Sequence, residues 1–210
     1  MAEATFCELR LLTAPGRVMT PRHATEGLVT AAAERIGGRA VRVADVGTGS
    51  GAIAVSLARL APAAEVWASD VSAAAVFVAR ANARRFGVAD RVHVVKGDLL
   101  EPLPSDLDLI VANLPYLPEA DRVRYPDLAD EPDEALYTWG DGLGLYRRLL
   151  RSAEERLCAG GAVMFQLHRR VHVVERAEVA AVRNRLEDLV PEPANRREGS
   201  RGGVLGMVTP

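Results

Sequence analysis

Three glycines that follow an apolar run are the part of this sequence with the clearest potential for chemistry. The stretch VRVADVGTGSG begins at residue 41, is rich in β-branched residues and turns through Gly47, Gly49 and Gly51. A strand, a glycine turn and a helix in this order bind nucleotide-like ligands, because glycines let the backbone approach the ligand closely. Gly47, Gly49 and Ala52 also satisfy the dinucleotide pattern G-x-G-x-x-G/A, so the turn alone leaves the ligand open.

Polar side chains end four successive predicted strands, at Asp45, Asp70, Asp98 and Asn113. In a parallel sheet the ligand lies over the carboxyl ends of the strands, so we expect these side chains to lie at one edge. Asp70 is placed to accept ribose hydroxyls, Asp98 to accept an adenine amino proton beside Leu99, and Asp45 to bind the amino end of a ligand. The predicted ligand-binding set is Asp45, Gly47, Thr48, Gly49, Ser50, Gly51, Asp70, Val71, Asp98, Leu99 and Asn113.

Alternating strands and helices position these residues, which predicts an α/β fold with a doubly wound, mostly parallel sheet. Predicted strands cover 41–45, 65–70, 92–98, 106–113, 162–168 and 203–208, and the segment 114–141 is irregular. Predicted helices follow Gly51, run from Ser72 to Phe86, from Gly142 to Leu157 and from Glu178 to Leu186.

The first 40 residues are predicted to form a small extension on a core domain of residues 41–210, with a single domain overall. Residues 5–20 are expected to form a hairpin around Ala14-Pro15-Gly16, since Pro-Gly is a strong turn signal. A helix follows, with Gly37-Gly38 as its end.

The pattern D-x-G-x-G-x-G, then an acid after the second strand and G-D after the third, resembles the class I S-adenosylmethionine-dependent methyltransferases. The resemblance covers residues 41 to about 168. It implies a Rossmann-like, seven-stranded sheet and S-adenosyl-L-methionine as the cofactor.

A second motif, Asn113-Leu114-Pro115-Tyr116, follows the fourth strand and matches the N/D/S-x-P-Y/F motif of methyltransferases that act on planar NH₂ groups. The lone pair of such a nitrogen is delocalised, so it is a poor nucleophile. Two acceptors, the Asn113 side-chain oxygen and the Leu114 carbonyl, could hold both N–H groups and turn the nitrogen toward the methyl donor. Pro115 restricts Leu114 to an extended conformation, and Tyr116 offers a ring face to the substrate. These four residues are the predicted catalytic residues.

More of the chain resembles the HemK/PrmC family, the protein-(glutamine-N5) methyltransferases that modify peptide-chain release factors. The matching segments are 18–29, 43–58, 69–88, 108–121 and 131–150, with family patterns P-R-x-x-T-E, D-x-G-T-G-S-G, N-P-P-Y and E-P-x-x-A-L followed by D-G-L. The resemblance implies a protein substrate, with a release factor as a candidate.

The chain departs from the family pattern in three places. Leu114 replaces the first proline of N-P-P-Y, and N-L-P-Y is also the form seen in rRNA adenine-N6 dimethyltransferases. The run 165–170, FQLHRR, stands where a Glu-x-Gly is expected. The family's N-terminal helical substrate domain is expected to be lacking, because only about 40 residues precede the first core strand.

Composition excludes several classes of protein. The 210 residues are 49% hydrophobic and 26% charged with a formal net charge of −2, which is ordinary for a globular domain and unlike a general nucleic-acid binder. No signal peptide or bilayer-spanning run is predicted, and Cys7 and Cys158 fit a reduced, cytoplasmic protein. No metal site is predicted, and His93, His168 and His172 are interpreted as surface or internally satisfied residues.

Three functions stay open at this point. The first is methylation of a glutamine side chain in a protein. It is favoured by residues 119–134, which hold seven acids and two arginines, because this charge suits a neutral or basic protein loop better than a phosphodiester backbone. The alternative is an RNA or DNA amino-group (adenine N6 or guanine N2) methyltransferase, favoured by N-L-P-Y and by Arg196, Arg197 and Arg201. A third hypothesis is a non-catalytic cofactor-binding module that needs a partner subunit to complete its site.

Overall fold

A computed structural model describes residues 1–168 and 170–190 of the chain. Its elements in chain order are β1 (Ala2–Phe6), β2 (Leu9–Thr13), α1 (Glu26–Ile36), β3 (Arg42–Val46), α2 (Ala52–Leu60), β4 (Glu65–Asp70), α3 (Ala73–Arg85), β5 (Val92–Lys96), β6 (Leu107–Ala112), β7 (Leu117–Pro118), β8 (Tyr137–Thr138), α4 (Gly144–Arg156), β9 (Leu157–Leu167), β10 (Arg170–Glu175) and α5 (Val179–Asn184).

Six of these strands form the central sheet, in the order β10-β9-β6-β3-β4-β5. Five run parallel to their neighbours, and β10 pairs antiparallel with β9 at one edge. The predicted α/β fold with a Rossmann-like, mostly parallel sheet is confirmed. The predicted strand 203–208 lies outside the described residues, so the count of seven strands stays a prediction, and β10 was not predicted.

Side chains that alternate along the strands build one hydrophobic core on each face of the sheet. In β3, Val43 joins the core beneath α1, α2 and α3, whereas Ala44 and Val46 join the core beneath α4. In α4, one apolar face is buried against the sheet, with Tyr146 fully enclosed. A parallel sheet covered on both faces leaves the ends of its strands for a ligand.

The N-terminal hairpin exists, but its predicted turn was wrong. β1 and β2 are joined by Cys7 and Glu8, both in the left-handed region with φ of +46° and +62°. Two central residues with positive φ match the twist of the strands they connect, even without glycine. Ala14-Pro15-Gly16 forms a separate turn after β2, in which the Ala14 carbonyl accepts the N–H of Arg17.

Candidate active site at the carboxyl edge of the sheet

The order of the strands brings four of the predicted polar residues to one edge. β6, β3, β4 and β5 are neighbours, and their carboxyl ends are in register, with Val46 opposite both Ala112 and Ser69. Asp70 ends β4, Asn113 directly follows β6, and Asp98 lies two residues after the end of β5. Asp45 is the next-to-last residue of β3, just before the glycine turn. The asparagine therefore lies beside the glycine turn, as the predicted chemistry requires.

The glycine turn is held by the neighbouring strand and by α3. The amides of Gly47 and Thr48 both donate to the Ser69 carbonyl, at 2.9 and 3.0 Å. All three glycines have positive φ, between +54° and +79°. A Cβ on Gly51 would lie 3.0 Å from the Cα of Ala79, so the close approach of the turn to α3 requires glycine there.

Asp45 is fully buried beneath this turn. Its Oδ2 accepts hydrogen bonds from Thr48 Oγ1 at 2.6 Å and from the Ala54 amide at 3.1 Å. Its Oδ1 is buried and has no hydrogen-bond partner among the described residues. Burial raises the pKa of Asp45 to about 7. A buried, unpartnered acceptor of this kind needs a donor, and an ammonium group of a ligand would supply one.

Asp70 binds the backbone of the glycine turn at Gly49. Its Oδ2 accepts the Gly49 amide at 2.9 Å and its Oδ1 accepts the Ser72 amide at 2.8 Å. A Cβ on Gly49 would have no atom within 4 Å, so the space above this residue is open. Burial raises the pKa of Asp70. Each carboxylate oxygen keeps a further lone pair, so ribose hydroxyls can still be accepted.

The other predicted ligand contacts are arranged differently. Asp98 forms an ion pair with Arg148 of α4. Leu99 has a φ of +46°, and its carbonyl accepts the Ser69 hydroxyl at 2.6 Å. Val71 is largely exposed. Because a carboxylate has about four acceptor sites, Asp98 can hold Arg148 and an adenine amino group together.

The Asn113–Tyr116 turn packs directly on the glycine turn. A Cβ on Gly47 would lie 2.7 Å from Leu114 Cδ2, so the leucine that replaces the family proline lies against this glycine. The Leu114 amide donates to the hydroxyl of Tyr146 at 2.9 Å, and that hydroxyl lies 2.7 Å from the Gln166 carbonyl and 3.2 Å from the Leu114 carbonyl. The single hydroxyl proton favours the shorter contact, which leaves the Leu114 carbonyl as an acceptor.

Sequence reasoning gave no role to three residues that hold this turn. Tyr146 falls inside the predicted helix from Gly142 to Leu157, where an apolar residue is ordinary. Thr25 accepts the side-chain N–H of Asn113 at 3.0 Å, and Gln166 donates to the Ala24 carbonyl at 2.8 Å. Thr25 lies in segment 18–29, which matches the family pattern, and Gln166 lies in run 165–170, which departs from it. Neither observation indicates which residue the side chain binds.

Tyr116 and Pro115 are partly buried. The ring of Tyr116 lies 4.9 Å from that of His168, at an interplanar angle of 56°. His168 therefore contacts a predicted catalytic residue, which the sequence did not indicate. A Cβ on Gly142, whose φ is +86°, would lie 2.2 Å from the Tyr116 carbonyl oxygen. The glycine of the D-G-L pattern thus allows the segment before α4 to contact the catalytic turn.

The other two histidines of this prediction differ from each other. His93 Nε2 lies 2.8 Å from Glu65 Oε1, which agrees with an internally satisfied residue. His172 stacks on Phe165 with ring centroids 5.3 Å apart, and its buried Nε2 has no hydrogen-bond partner among the described residues.

The acidic segment 119–134 follows β7 directly and so begins shortly after Tyr116. Its two arginines pair with acids of the same segment, Arg122 with Asp133 at 2.8 Å and Arg124 with Asp121 at 3.0 Å. Glu131 of the segment also pairs with Arg22 at 3.3 Å, so most of the surplus negative charge beside the catalytic turn remains. The predicted basic cluster Arg196, Arg197 and Arg201 lies outside the described residues.

Asn82 connects the N-terminal hairpin to the glycine turn. This fully buried α3 residue accepts the Leu12 amide at 2.8 Å and donates to the carbonyls of Leu12 and Ser50, at 3.0 and 2.8 Å. The hairpin and the turn that carries Ser50 therefore share one side chain.

The described residues hold neither a cluster of metal ligands nor a membrane-spanning helix. Within residues 1–168 and 170–190, no group of three or more His, Cys, Asp or Glu side chains is placed to hold a metal ion. In the same part of the chain, no helix has the length and apolar character needed to cross a membrane.

Comparison with known proteins agrees with this geometry. The family model described as methyltransferase small domain matches residues 22–125. A release factor glutamine methyltransferase of Moorella thermoacetica is 44% identical over 186 residues, which are 85% of this chain and 65% of that protein. One of Bordetella pertussis is 46% identical over 167 residues, 78% of this chain and 59% of that protein.

A solved structure shows the same fold. The T. thermophilus 16S rRNA N2 G1207 methyltransferase, in complex with AdoMet and guanosine, has a TM-score of 0.57 at 21% identity over 78% of this chain and 40% of that one. The chain spans between 54% and 65% of the length of eight curated relatives named release factor glutamine methyltransferase.

Proposed function

Because the chain belongs to the HemK/PrmC family of methyltransferases, we propose that it transfers a methyl group from S-adenosyl-L-methionine to the side-chain amide nitrogen of a glutamine in a protein. The observation that carries this proposal is the contact between the Asn113–Tyr116 turn and the glycine turn, through Leu114 and Gly47. Because the two turns touch, the predicted acceptors for an NH₂ group lie beside the predicted cofactor site.

Two oxygens of the turn can hold the substrate amide. Nδ2 of Asn113 is bound to Thr25, so Oδ1 is the end of the side chain available to a substrate N–H. The Leu114 carbonyl is the second acceptor, and Tyr146 fixes its peptide through the Leu114 amide. Holding both N–H groups fixes the plane of the amide, so that one face of its nitrogen points to the methyl donor.

The residues of the glycine turn fit the cofactor. When bound, S-adenosyl-L-methionine supplies an electrophilic methyl group on a sulfonium. Asp45 Oδ1, buried and unpartnered among the described residues, would accept from the amino group of the methionine portion. The open space above Gly49 and the remaining lone pairs of Asp70 would receive the ribose. Asp98 and Leu99 would border the adenine.

The surroundings of the turn favour a protein substrate over a nucleic acid. The exposed acids Glu119, Asp130 and Glu134 lie in the segment that follows Tyr116, and this charge repels phosphates and attracts a basic loop. A peptide-chain release factor is the substrate suggested by the names of the relatives. We expect the enzyme to act in the cytoplasm, where release factors work.

The test is methyl transfer by the purified chain to glutamine-containing release-factor protein, with methyl-labelled cofactor. Asn113→Ala is expected to abolish transfer, because one of the two acceptors is removed, and to leave cofactor affinity nearly unchanged. Asn184→Ala, at an exposed position of α5, is the matched control and should retain full activity. Unchanged turnover in Asn113→Ala would contradict the assigned role, and label found in RNA instead of protein would contradict the substrate.

A further inference from the structure

The side chain of Asn113 can serve as an acceptor only in one of two orientations. The oxygen and nitrogen of the side chain have nearly the same size, so the amide group could be rotated by 180° about its Cβ–Cγ bond. The Nδ2 hydrogens would then face the N–H groups of the substrate, and donors cannot bind donors. A neighbouring acceptor that binds Nδ2 would hold Oδ1 on the side of the substrate. In the structure Asn113 Nδ2 donates to Thr25 Oγ1 at 3.0 Å.

Thr25 is placed unusually for this contact. It occupies the N-cap position of α1, where a threonine oxygen ordinarily accepts an amide of the first helical turn. Here the side chain makes no such capping bond. The residue is 8% exposed, so its hydroxyl is directed away from its own helix and toward Asn113 in a nearly dry environment.

The segment that carries Thr25 is held from two sides. Gln166 of β9, 3% exposed, donates to the carbonyl of Ala24 at 2.8 Å. Glu131 accepts the Thr20 amide at 2.9 Å and lies 3.3 Å from Arg22. These contacts join residues more than 100 positions apart, so the position of the Thr25 hydroxyl is fixed by the tertiary structure and not by the local turn.

From these contacts we infer that Thr25 is a positioning residue, which binds Asn113 Nδ2 and thereby directs Oδ1 toward the methyl acceptor. Gln166, from the run 165–170 that departs from the expected Glu-x-Gly, supports it through Ala24. This inference rests on the proposed function, since it assigns a purpose to the orientation of Asn113. The role assigned to Thr25 is exerted through Asn113.

A matched pair of variants tests the inference. Thr25→Val keeps the shape of the side chain without its hydroxyl, and Thr25→Ser keeps the hydroxyl. Thr25→Val should lower kcat by about fivefold to tenfold, as expected for one lost hydrogen bond, with the Kd of S-adenosyl-L-methionine unchanged. Thr25→Ser should stay within about twofold of the unsubstituted chain. Equal kcat in Thr25→Val, or an equally large loss in Thr25→Ser, would overturn the inference.

A measurement without catalysis separates this inference from the proposed function. The side-chain ¹⁵NH₂ signal of Asn113, identified by its loss in Asn113→Asp, should exchange slowly in the unsubstituted chain and in Thr25→Ser, and faster in Thr25→Val. Equal exchange in all three would show that Thr25 does not bind Nδ2, whatever the activity. If the exchange pattern holds and no glutamine is methylated, the contact stands and the proposed substrate is wrong.

Discussion

The hydroxyl of Tyr146 offers the sharpest test of how the catalytic turn is held. It accepts the Leu114 amide at 2.9 Å and donates to the Gln166 carbonyl at 2.7 Å, so a single oxygen joins the turn to β9. The tyrosine is fully buried, and its ring packs against Phe165 with centroids 5.2 Å apart. Tyr146→Phe deletes this oxygen and leaves the packing of the ring in place.

The expected cost follows from the two groups left behind. A buried N–H without a partner costs about 1–3 kcal/mol, and the Gln166 carbonyl loses a donor worth about 1 kcal/mol. We therefore expect the free energy of unfolding to fall by about 2–4 kcal/mol, a large share of the roughly 5–15 kcal/mol typical of a domain. Burial raises the pKa of the Tyr146 phenol, so the hydroxyl stays protonated and the loss should not depend on pH between about 6 and 8.

Urea unfolding measures this loss as a lower midpoint at an unchanged m-value. Tyr137→Phe is the matched control, because the ring of Tyr137 lies partly exposed beneath the Arg122 guanidinium, and we expect a change below about 0.5 kcal/mol. Methyl transfer should fall as well, since the Leu114 peptide loses its support. A Tyr146→Phe chain within about 0.5 kcal/mol of the original would refute the account of the turn.

Three further predictions concern the glycines and the buried acid. Gly142→Ala should lower kcat by more than about tenfold, because the new Cβ would lie 2.2 Å from the Tyr116 carbonyl oxygen. Gly140→Ala is the control: Gly140 has a similar φ of +70° but open space around it, so this variant measures backbone strain alone. Equal losses of kcat in both variants would contradict the role of the contact. Asp45 has a pKa raised by burial to about 7, against 3.8 for the free side chain, so the folded state binds its proton more tightly. Its contribution to stability should therefore fall as pH rises from about 4 to about 7, and Asp45→Asn should remove this slope in urea titrations at each pH. Cofactor binding, which favours the ionised carboxylate, should release a proton near pH 7; calorimetry in buffers of different ionisation enthalpy measures it, and a proton release retained in Asp45→Asn would contradict the assignment.

The sequence predicted the strand ends that form the site better than the turns and edge strand around them. Strand ends at Asp45, Asp70 and Asn113 could be recognised because apolar runs end at polar residues, and a parallel sheet brings such ends together. The hairpin turn was misplaced since Pro15-Gly16 carries a strong local signal, whereas Cys7 and Glu8 adopt positive φ only because the two strands pair. β10 was missed, since it completes an edge of the sheet that tertiary pairing defines.

The residues that hold the catalytic turn could not be identified for a related reason. The Thr25–Asn113 bond spans 88 positions and the bond of Gln166 to Ala24 spans 142. A threonine before a helix predicts a cap, and a glutamine in a strand predicts nothing specific. Only the folded arrangement shows that each serves the same short turn.

The three hydrogen bonds of Asn82 have a practical consequence for anyone who exchanges parts between related enzymes. A graft that takes the glycine turn from one protein and the N-terminal hairpin from another would mismatch the Leu12 backbone and the Ser50 carbonyl, which this one amide satisfies together. Both pieces, and the stretch of α3 that carries the amide, should be inherited from the same parent, although Asn82 lies 70 positions from Leu12 and 32 from Ser50.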